Sequence, residues 1–497
     1  MKVHKCDSSV TQPPLYPSTS SYDGASKHAH PPSSISTKDE STHEIWKFAG
    51  YCQPTGSATY TRSGNWGDTH NTAPEIGNPR RQLIDFVIHL IYFIDCEMSS
   101  QPTLPFEIIE AIIDSLPQRQ DPSLSSLKSC SLVCKSFLEL CRKYIFASIT
   151  VARRDLASSK PTSDALVRLL STTPEIGRHV RILCLRLSSD EFDHPSLPRT
   201  LKRITKLESF TIYWCPTYKW RNNSLRQALL HLLHLPTLRS LHIADIRDFM
   251  LADLIPCSNL RELKFDCTTP VERKDISISI LPDKPLQLHR LTCGIESPIA
   301  ISMIGTSLRP DGKPIFNLAV LPSISIRFDT NEEFEASGKL LQHCLQLTDI
   351  DIFLNSPLIW TGIAKMLKPS LETLTHLHFS MSTKDETGAN DPLAGLVSEL
   401  DQIQCHRNVV ENLTIDVFVG AYYKCNQGDD WGLLDSVLTQ PGWSRLKRIS
   451  LTISLWVCYR EDDLEVTLKS LAGKQLPRLS SSTSIDFQFS VIDRSYD

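Results

Sequence analysis

His231 and His234, in the stretch HLLH, have a spacing with which one helix face could offer two imidazoles to a metal ion. They flank leucines, however, and no third ligand accompanies them, so a surface or half-buried pair is the stronger reading. Cys130 and Cys134 stand one helical turn apart, where small apolar packing is favoured over metal binding. Asn222–Ser224 and Asn412–Thr414 match the glycosylation acceptor pattern, which carries weight only in a secreted chain. There is no G-x-x-x-x-G-K-[ST], G-x-G-x-x-G or G-x-S-x-G. Glycine itself is scarce, 19 of 497 residues, which leaves few positions for loops that wrap a phosphate. No catalytic residue, cofactor or metal is assigned, and a stand-alone enzyme is not expected.

One further stretch could bind a ligand by stacking. Trp214, Tyr218, Lys219, Trp220 and Arg221 interleave rings and cations as a single-stranded nucleic-acid site would. The alternative is a repeat loop whose aromatics partly pack on the body of the protein, leaving it the best exposed candidate for a partner hot spot. Charge gives no help to nucleic acid, because 52 Lys and Arg nearly balance 56 Asp and Glu for a net charge of −4. The 15 cysteines include no CxxC pair and mostly sit among aliphatic residues, so they read as free thiols in a reducing compartment. No apolar run of about 20 residues exists, and the first ten residues lack a secretory core. The expected location is cytoplasmic, nuclear or both, with neither membrane nor nucleic acid as partner.

The elements that would carry any function fall into three parts. Residues 1–80 contain only 7 Val, Ile, Leu or Phe, too few to offset chain entropy, and are expected to be disordered. Residues 83–96, LIDFVIHLIYFIDC, are abruptly apolar. Three readings stay open there: a short core-docking helix, a membrane-surface helix, or a segment upstream of a true start at Met98, in which case residues 1–97 are absent from the mature protein. Residues 102–148 read as a compact helical unit. Its first helix opens at Leu104-Pro105 and carries Ile108, Ile109, Ile112, Ile113 and Leu116 on one wide stripe. Pro117 ends it, and Asp121-Pro122 starts a second helix carrying Leu124, Leu127, Leu132, Val133 and Cys134. A third holds Phe137, Leu138, Tyr144, Ile145 and Phe146. So short a unit cannot hide all this apolar surface by itself.

From residue 180 the pattern L-x-x-L-x-(I/L/F) recurs ten times, from Val180/Leu183/Leu185 to Leu446/Ile449/Leu451, with starts 22 to 36 residues apart. That spacing is close to leucine-rich repeats. Helical stretches lie between, among them Leu225–Leu235, Gly338–Leu345 and Leu433–Leu438. Each unit therefore reads as strand, turn, helix and return, and stacked units share a core that no single one could form. The asparagine or cysteine of regular repeats is mostly missing, so an irregular stack is expected, closed by a strand at Ile485, Phe487 and Phe489. The fold class expected is α/β: an irregular leucine-rich-repeat-like solenoid over residues 155–497, preceded by a small all-α domain over 102–148.

The helical unit resembles an F-box: L-P-x-E-I-I-x-x-I-I-x-x-L in Leu104–Leu116, then S-L-V-C-K-x-F in Ser131–Phe137. With the repeats behind it, the chain is similar to fungal F-box proteins carrying leucine-rich-repeat-like regions. It departs in Phe137, where the family often has Trp, and in the proline-flanked spacer. The resemblance implies a substrate-recognition subunit of an SCF-type ubiquitin ligase, which binds the Skp adaptor and through it a cullin-RING ligase, and makes no bond itself. It places the adaptor contacts at Leu104, Pro105, Ile108, Ile109, Ile112, Leu132, Val133, Cys134 and Phe137, although Ile113, Leu127 and Leu132 could equally be core. The alternative is an interaction scaffold that does not promote ubiquitylation.

If the repeats stack, strand residues pointing away from the core form a recognition face for a protein substrate. Tyr213, His242, Lys264, Asp266, Asp351, His376, His378 and Asp416 are its candidate contacts, accompanied by Thr292, Arg327 and Thr414. They are expected to share one concave surface of mixed charge.

Overall fold

In the segment SISIRF, Ile324, Ile326 and Phe328 are at most 1% exposed while Ser323, Ser325 and Arg327 between them stay half-buried. This period-2 alternation places β-branched and aromatic side chains on one face of a strand and polar ones on the other. The same alternation recurs through the computed structural model of the chain, which describes residues 106–115, 124–133, 135–152, 162–221, 223–271, 282–355, 358–383, 391–419, 428, 430–455 and 462–494. The expected disorder of 1–80, the apolar segment 83–96, the Leu104-Pro105 opening and the spacer at Pro117 to Pro122 lie outside those residues.

Fourteen strands are formed among the described residues: β1 Ser148–Val151, β2 Ile182–Arg186, β3 Ser209–Tyr213, β4 Ser240–Ala244, β5 Arg247–Met250, β6 Glu262–Asp266, β7 Thr269–Val271, β8 Arg290–Cys293, β9 Ser323–Phe328, β10 Asp349–Asn355, β11 His376–Thr383, β12 Asn412–Val419, β13 Arg448–Leu455 and β14 Asp486–Asp493. Twelve make one parallel sheet in the order β1-β2-β3-β4-β6-β8-β9-β10-β11-β12-β13-β14, so each of the twelve lies beside the next of them along the chain. β5 and β7 pair separately as a two-stranded parallel ribbon. Parallel neighbours need a crossover connection, and helices or 3-10 turns supply it between most of them.

The repeat pattern maps directly onto this register. Leu183, Phe210, Leu241, Leu263, Leu291, Ile324, Ile350, Leu377, Leu413, Ile449 and Phe487 occupy one row across the sheet. Two residues on, Leu185 through Phe265, Phe379 and Leu451 to Phe489 form a second row. The leading residue of each repeat, from Val180 to Leu446, is buried just before its strand. Phe487 and Phe489 are only half-buried, because β14 is the edge strand of the sheet among the described residues. The sheet also begins earlier than residue 155: Ile149 and Val151 of β1 extend both rows beside β2.

Helices Arg226–Leu233, Asn331–Leu341 and Asp430–Leu438 form where helical stretches were expected. The second starts well before Gly338, because Thr330 and Glu333 close a reciprocal capping box at its N-terminus.

The N-terminal unit contains helices Phe106–Ser115, Ser125–Ser131 and Lys135–Ile145. Ile113, Leu127, Cys141 and Ile145 are buried in the same core that continues through Ile149 and Val151 into the sheet. Lys143 ties the third helix to the first through Glu110 at 3.1 Å and Asp114 at 2.9 Å. The second helix ends at Ser131, so Leu132 and Val133 lie in a turn rather than in the helix expected for them. Leu124 likewise precedes that helix, with a left-handed backbone at φ 51.

Candidate functional site

On the sheet face opposite the core, the same registers line up polar and aromatic side chains. One row runs His242, Lys264, Thr292, Ser325, Asp351, His378, Thr414; Tyr213, Asp266, Arg327, Phe353 and Asp416 stand two residues further along their strands than that row. His376 stands two residues before it, 3.4 Å from Asp349. All eight candidate contacts therefore share this face; seven fall in two clusters, and His376 stands apart beside Asp349.

The first cluster crosses β2, β3, β4 and β6. His242 Nε2 lies 2.6 Å from Asp266 Oδ2, and Lys264 Nζ reaches the same oxygen at 3.0 Å. The Tyr213 ring packs edge-on to His242 at 5.4 Å, with the Arg186 guanidinium over its other side at 4.4 Å. Burial pushes the Asp266 carboxyl up, but hydrogen bonds from His242 and Lys264 and their charges together hold it below its ordinary pKa.

The second cluster centres on His378 of β11. Nε2 lies 3.0 Å from Asp416 Oδ2 on β12 and 3.1 Å from Ser380 Oγ. Nδ1 is 3.2 Å from Asp351 Oδ1 on β10 but off the hydrogen-bond direction, so that oxygen couples to the ring through charge alone. Burial lowers the imidazole pKa; the Asp416 hydrogen bond and the charges of Asp351 and Asp416 outweigh it, and the net shift is upward. Ser325 Oγ donates to Asp351 Oδ2 at 2.9 Å. Beside this group the Arg327 guanidinium covers Phe353 at 4.4 Å, and Phe353 meets Phe418 at 6.0 Å.

Ser380, His378 and Asp351 have the order of a nucleophile, base and orienting acid. Asp416 also holds Nε2, the Asp351 contact is misaligned, and Ser380 is buried mid-strand with its backbone engaged by β10 and β12. The geometry of the three side chains therefore departs from that of a nucleophile, base and acid relay. Among the described residues no group of three or more His, Cys, Asp or Glu could hold a metal ion. His234 Nε2 instead lies 2.9 Å from the Asp253 carbonyl.

The aromatic-basic stretch corrects an expectation. Trp214 and Trp220 are 2% and 1% exposed, so they cannot form a surface hot spot. Tyr218 stacks on Phe192 at 4.3 Å, Trp214 meets Trp220 at 5.3 Å, and Trp220 Nε1 donates to Asp253 Oδ2 at 2.8 Å. Inside the stack these rings gain apolar contact and hydrogen-bond partners together.

In the helical unit Leu132 is 73% and Val133 38% exposed, whereas Leu127 is 1%. Leu132 is thus surface, not core, while Ile113 and Leu127 are core. Phe137 is half-buried against the core. Ile108, Ile109 and Ile112 lie on the first helix, with no described side chains; Leu104, Pro105 and Cys134 lie outside the described residues.

Sequence reasoning missed Arg186, Phe353 and Phe418, although period-2 alternation continued past each repeat motif would have found them. It also missed carboxylates that join neighbouring units, Glu399 and Glu333 buried and Asp430 half-buried. Glu399 accepts from the backbone N–H groups of Gly362 and Ala364, both at 2.7 Å. Glu333 accepts from Ser297 N at 3.2 Å, and Asp430 from Gly395 N at 3.1 Å. Each satisfies orphan donors at the start of the preceding helix. Only the Glu333 capping box was signalled in sequence.

No protein-family model matches the chain, and none of the curated proteins is similar to it. Among the described residues no helix is long and apolar enough to cross a membrane.

Proposed function

We propose that this protein is an F-box protein with an irregular leucine-rich-repeat-like solenoid, acting as a substrate-recognition subunit of an SCF-type ubiquitin ligase. The helical unit would bind the Skp adaptor, and the outward sheet face would hold a protein substrate. The observation that carries the reading is the solvent-exposed Leu132–Val133 turn on a three-helix unit joined to a stack of parallel strands. An apolar pair left outside a core that had room for Leu127 and Ile113 suits a protein interface. The sheet face supports the second half, because its His, Asp, Lys, Tyr and Phe side chains present mixed charge and aromatic surface rather than one sign.

Co-purification of the full chain with the cognate Skp adaptor tests this, wild type beside Ile108→Asp/Leu132→Asp. Adaptor and cullin should follow the wild type and be lost from the folded variant. A wild-type chain that carries no adaptor refutes the reading; one that carries adaptor without cullin reduces it to an interaction scaffold.

A further inference from the structure

At the edge where the strands begin, cations are paired with carboxylates across neighbouring strands: Arg181 with Glu208 at 3.1 Å, Lys447 with Glu411 at 2.7 Å, and Arg448 with Asp486 at 3.2 Å. Three successive strands of the sheet break the pattern. Arg239 precedes β4, Arg261 precedes β6, and Arg290 opens β8 with His289 before it. Backbone bonds hold them side by side: Arg261 N donates to the Arg239 carbonyl at 2.7 Å, and His289 N and Arg290 N to the Arg261 carbonyl at 2.6 and 3.1 Å. All four side chains are exposed. Among the described residues none of these arginines has a carboxylate in ion-pairing range. Glu208 is taken by Arg181, and Glu262 lies cross-strand from Arg290 without pairing to it. A cleft of about 470 Å³ opens here, lined by Glu208, Pro236, Thr237, Arg239, Asn259 and Arg261.

We propose that this rim docks an acidic segment of a partner protein, whose Asp or Glu carboxylates complete the cross-strand pairs left open at Arg239, Arg261 and Arg290. Guanidinium forks match carboxylates in bidentate geometry, and their long stems adapt to strand starts about 4.8 Å apart. The cleft beside Arg239 and Arg261 gives a side chain room to enter. A nucleic-acid track is disfavoured, because Glu208 and Glu262 interrupt the cations and a phosphate backbone needs a longer uninterrupted run. The proposal goes beyond adaptor binding and does not require it.

The test is fluorescence anisotropy of the full-length protein with a labelled Glu/Asp-rich peptide and its Gln/Asn counterpart, at low and physiological ionic strength. The acidic peptide should bind and the amide peptide should not, with binding weakened by salt. Arg239→Gln/Arg261→Gln should weaken it about five- to tenfold and Arg290→Gln alone about two- to fivefold, as expected for exposed ion pairs. Arg448→Gln, on the same rim but already paired, should bind as wild type. All variants should keep the wild-type melting curve, since the replaced side chains are exposed. Failure of the wild type to bind, equal binding of the amide peptide, or binding undiminished in the double variant overturns the proposal. So does duplex DNA of matched charge binding as tightly and being lost in the same variants, which would make the rim a general anion surface.

Discussion

Glu399 reaches back one unit to accept a hydrogen bond from Ala364 N at 2.7 Å, its other oxygen taking Gly362 N at the same distance. The carboxylate is 3% exposed and the helix it caps starts at Ile363, so the bond joins neighbouring units through the protein interior. Glu399→Ala should therefore cost about 2–3 kcal/mol, because the buried Ala364 N–H and the half-buried Gly362 N–H lose their partner. Glu399→Gln should cost less, since the amide oxygen still accepts one bond. Urea unfolding monitored by circular dichroism checks both, and equal stability of all three proteins would contradict the capping role.

His378 makes the second prediction, in pH. Its folded pKa is raised above the ordinary value, so the native state holds the proton more tightly than the unfolded chain does. The resulting stabilisation is fully present below the unfolded pKa of about 6.5 and is lost as pH rises through the folded value. The stability gap between wild type and His378→Gln should thus be larger at pH about 5.5 than at pH about 8.5. A gap that widens with pH would reverse the assigned balance of burial and charge.

Asp266 has the opposite sign. Its folded pKa is lowered, so it adds stability above the unfolded value of about 3.9, lost as pH falls through the folded pKa. Asp266→Asn should be less stable than wild type near neutrality and converge with it in acid. Unfolding curves at several acidic pH values would show the convergence.

Leu127 and Leu132, five positions apart, should respond oppositely. Leu127→Asp places an unpaired carboxylate in the core and should cost at least about 3 kcal/mol. Leu132→Asp should leave stability within about 0.5 kcal/mol, as at other exposed sites. Thermal unfolding distinguishes them, and a large loss at Leu132 would place it in the core.

Gly395 has φ +82, and an added Cβ would fall 2.2 Å from the Trp360 carbonyl oxygen. Gly395→Ala should cost about 1–3 kcal/mol or more, since backbone rather than a flexible side chain must move. Chemical denaturation measures it, and a neutral result would mean that the Trp360 backbone yields freely.

The strand stack was legible in the sequence because each repeat writes its core positions locally: alternate residues of a strand must face opposite ways, so Leu183 and Leu185 or Ile324 and Ile326 declare their side without knowledge of their neighbours. The same rule placed Tyr213, His242, Lys264, Asp266, Asp351, His376, His378 and Asp416 on the other face. Their grouping was not legible. His378 stands between Asp351 and Asp416 only because parallel register sets residues 27 and 38 positions away beside it.

Two further features depended on tertiary structure for a related reason. Trp214 and Trp220 look like exposed rings in a loop until neighbouring units close over them, since burial is a property of the assembled stack. Glu399 looks like a helix-surface acid until the preceding helix brings its free N–H groups within reach. Sequence by itself determined which side of each repeat strand is apolar, where the units from Val180 onward begin, and that a helical unit precedes them. Tertiary structure alone decided which polar groups meet, because hydrogen bonds and charge pairs act over a few ångströms and those distances exist only once the units are stacked.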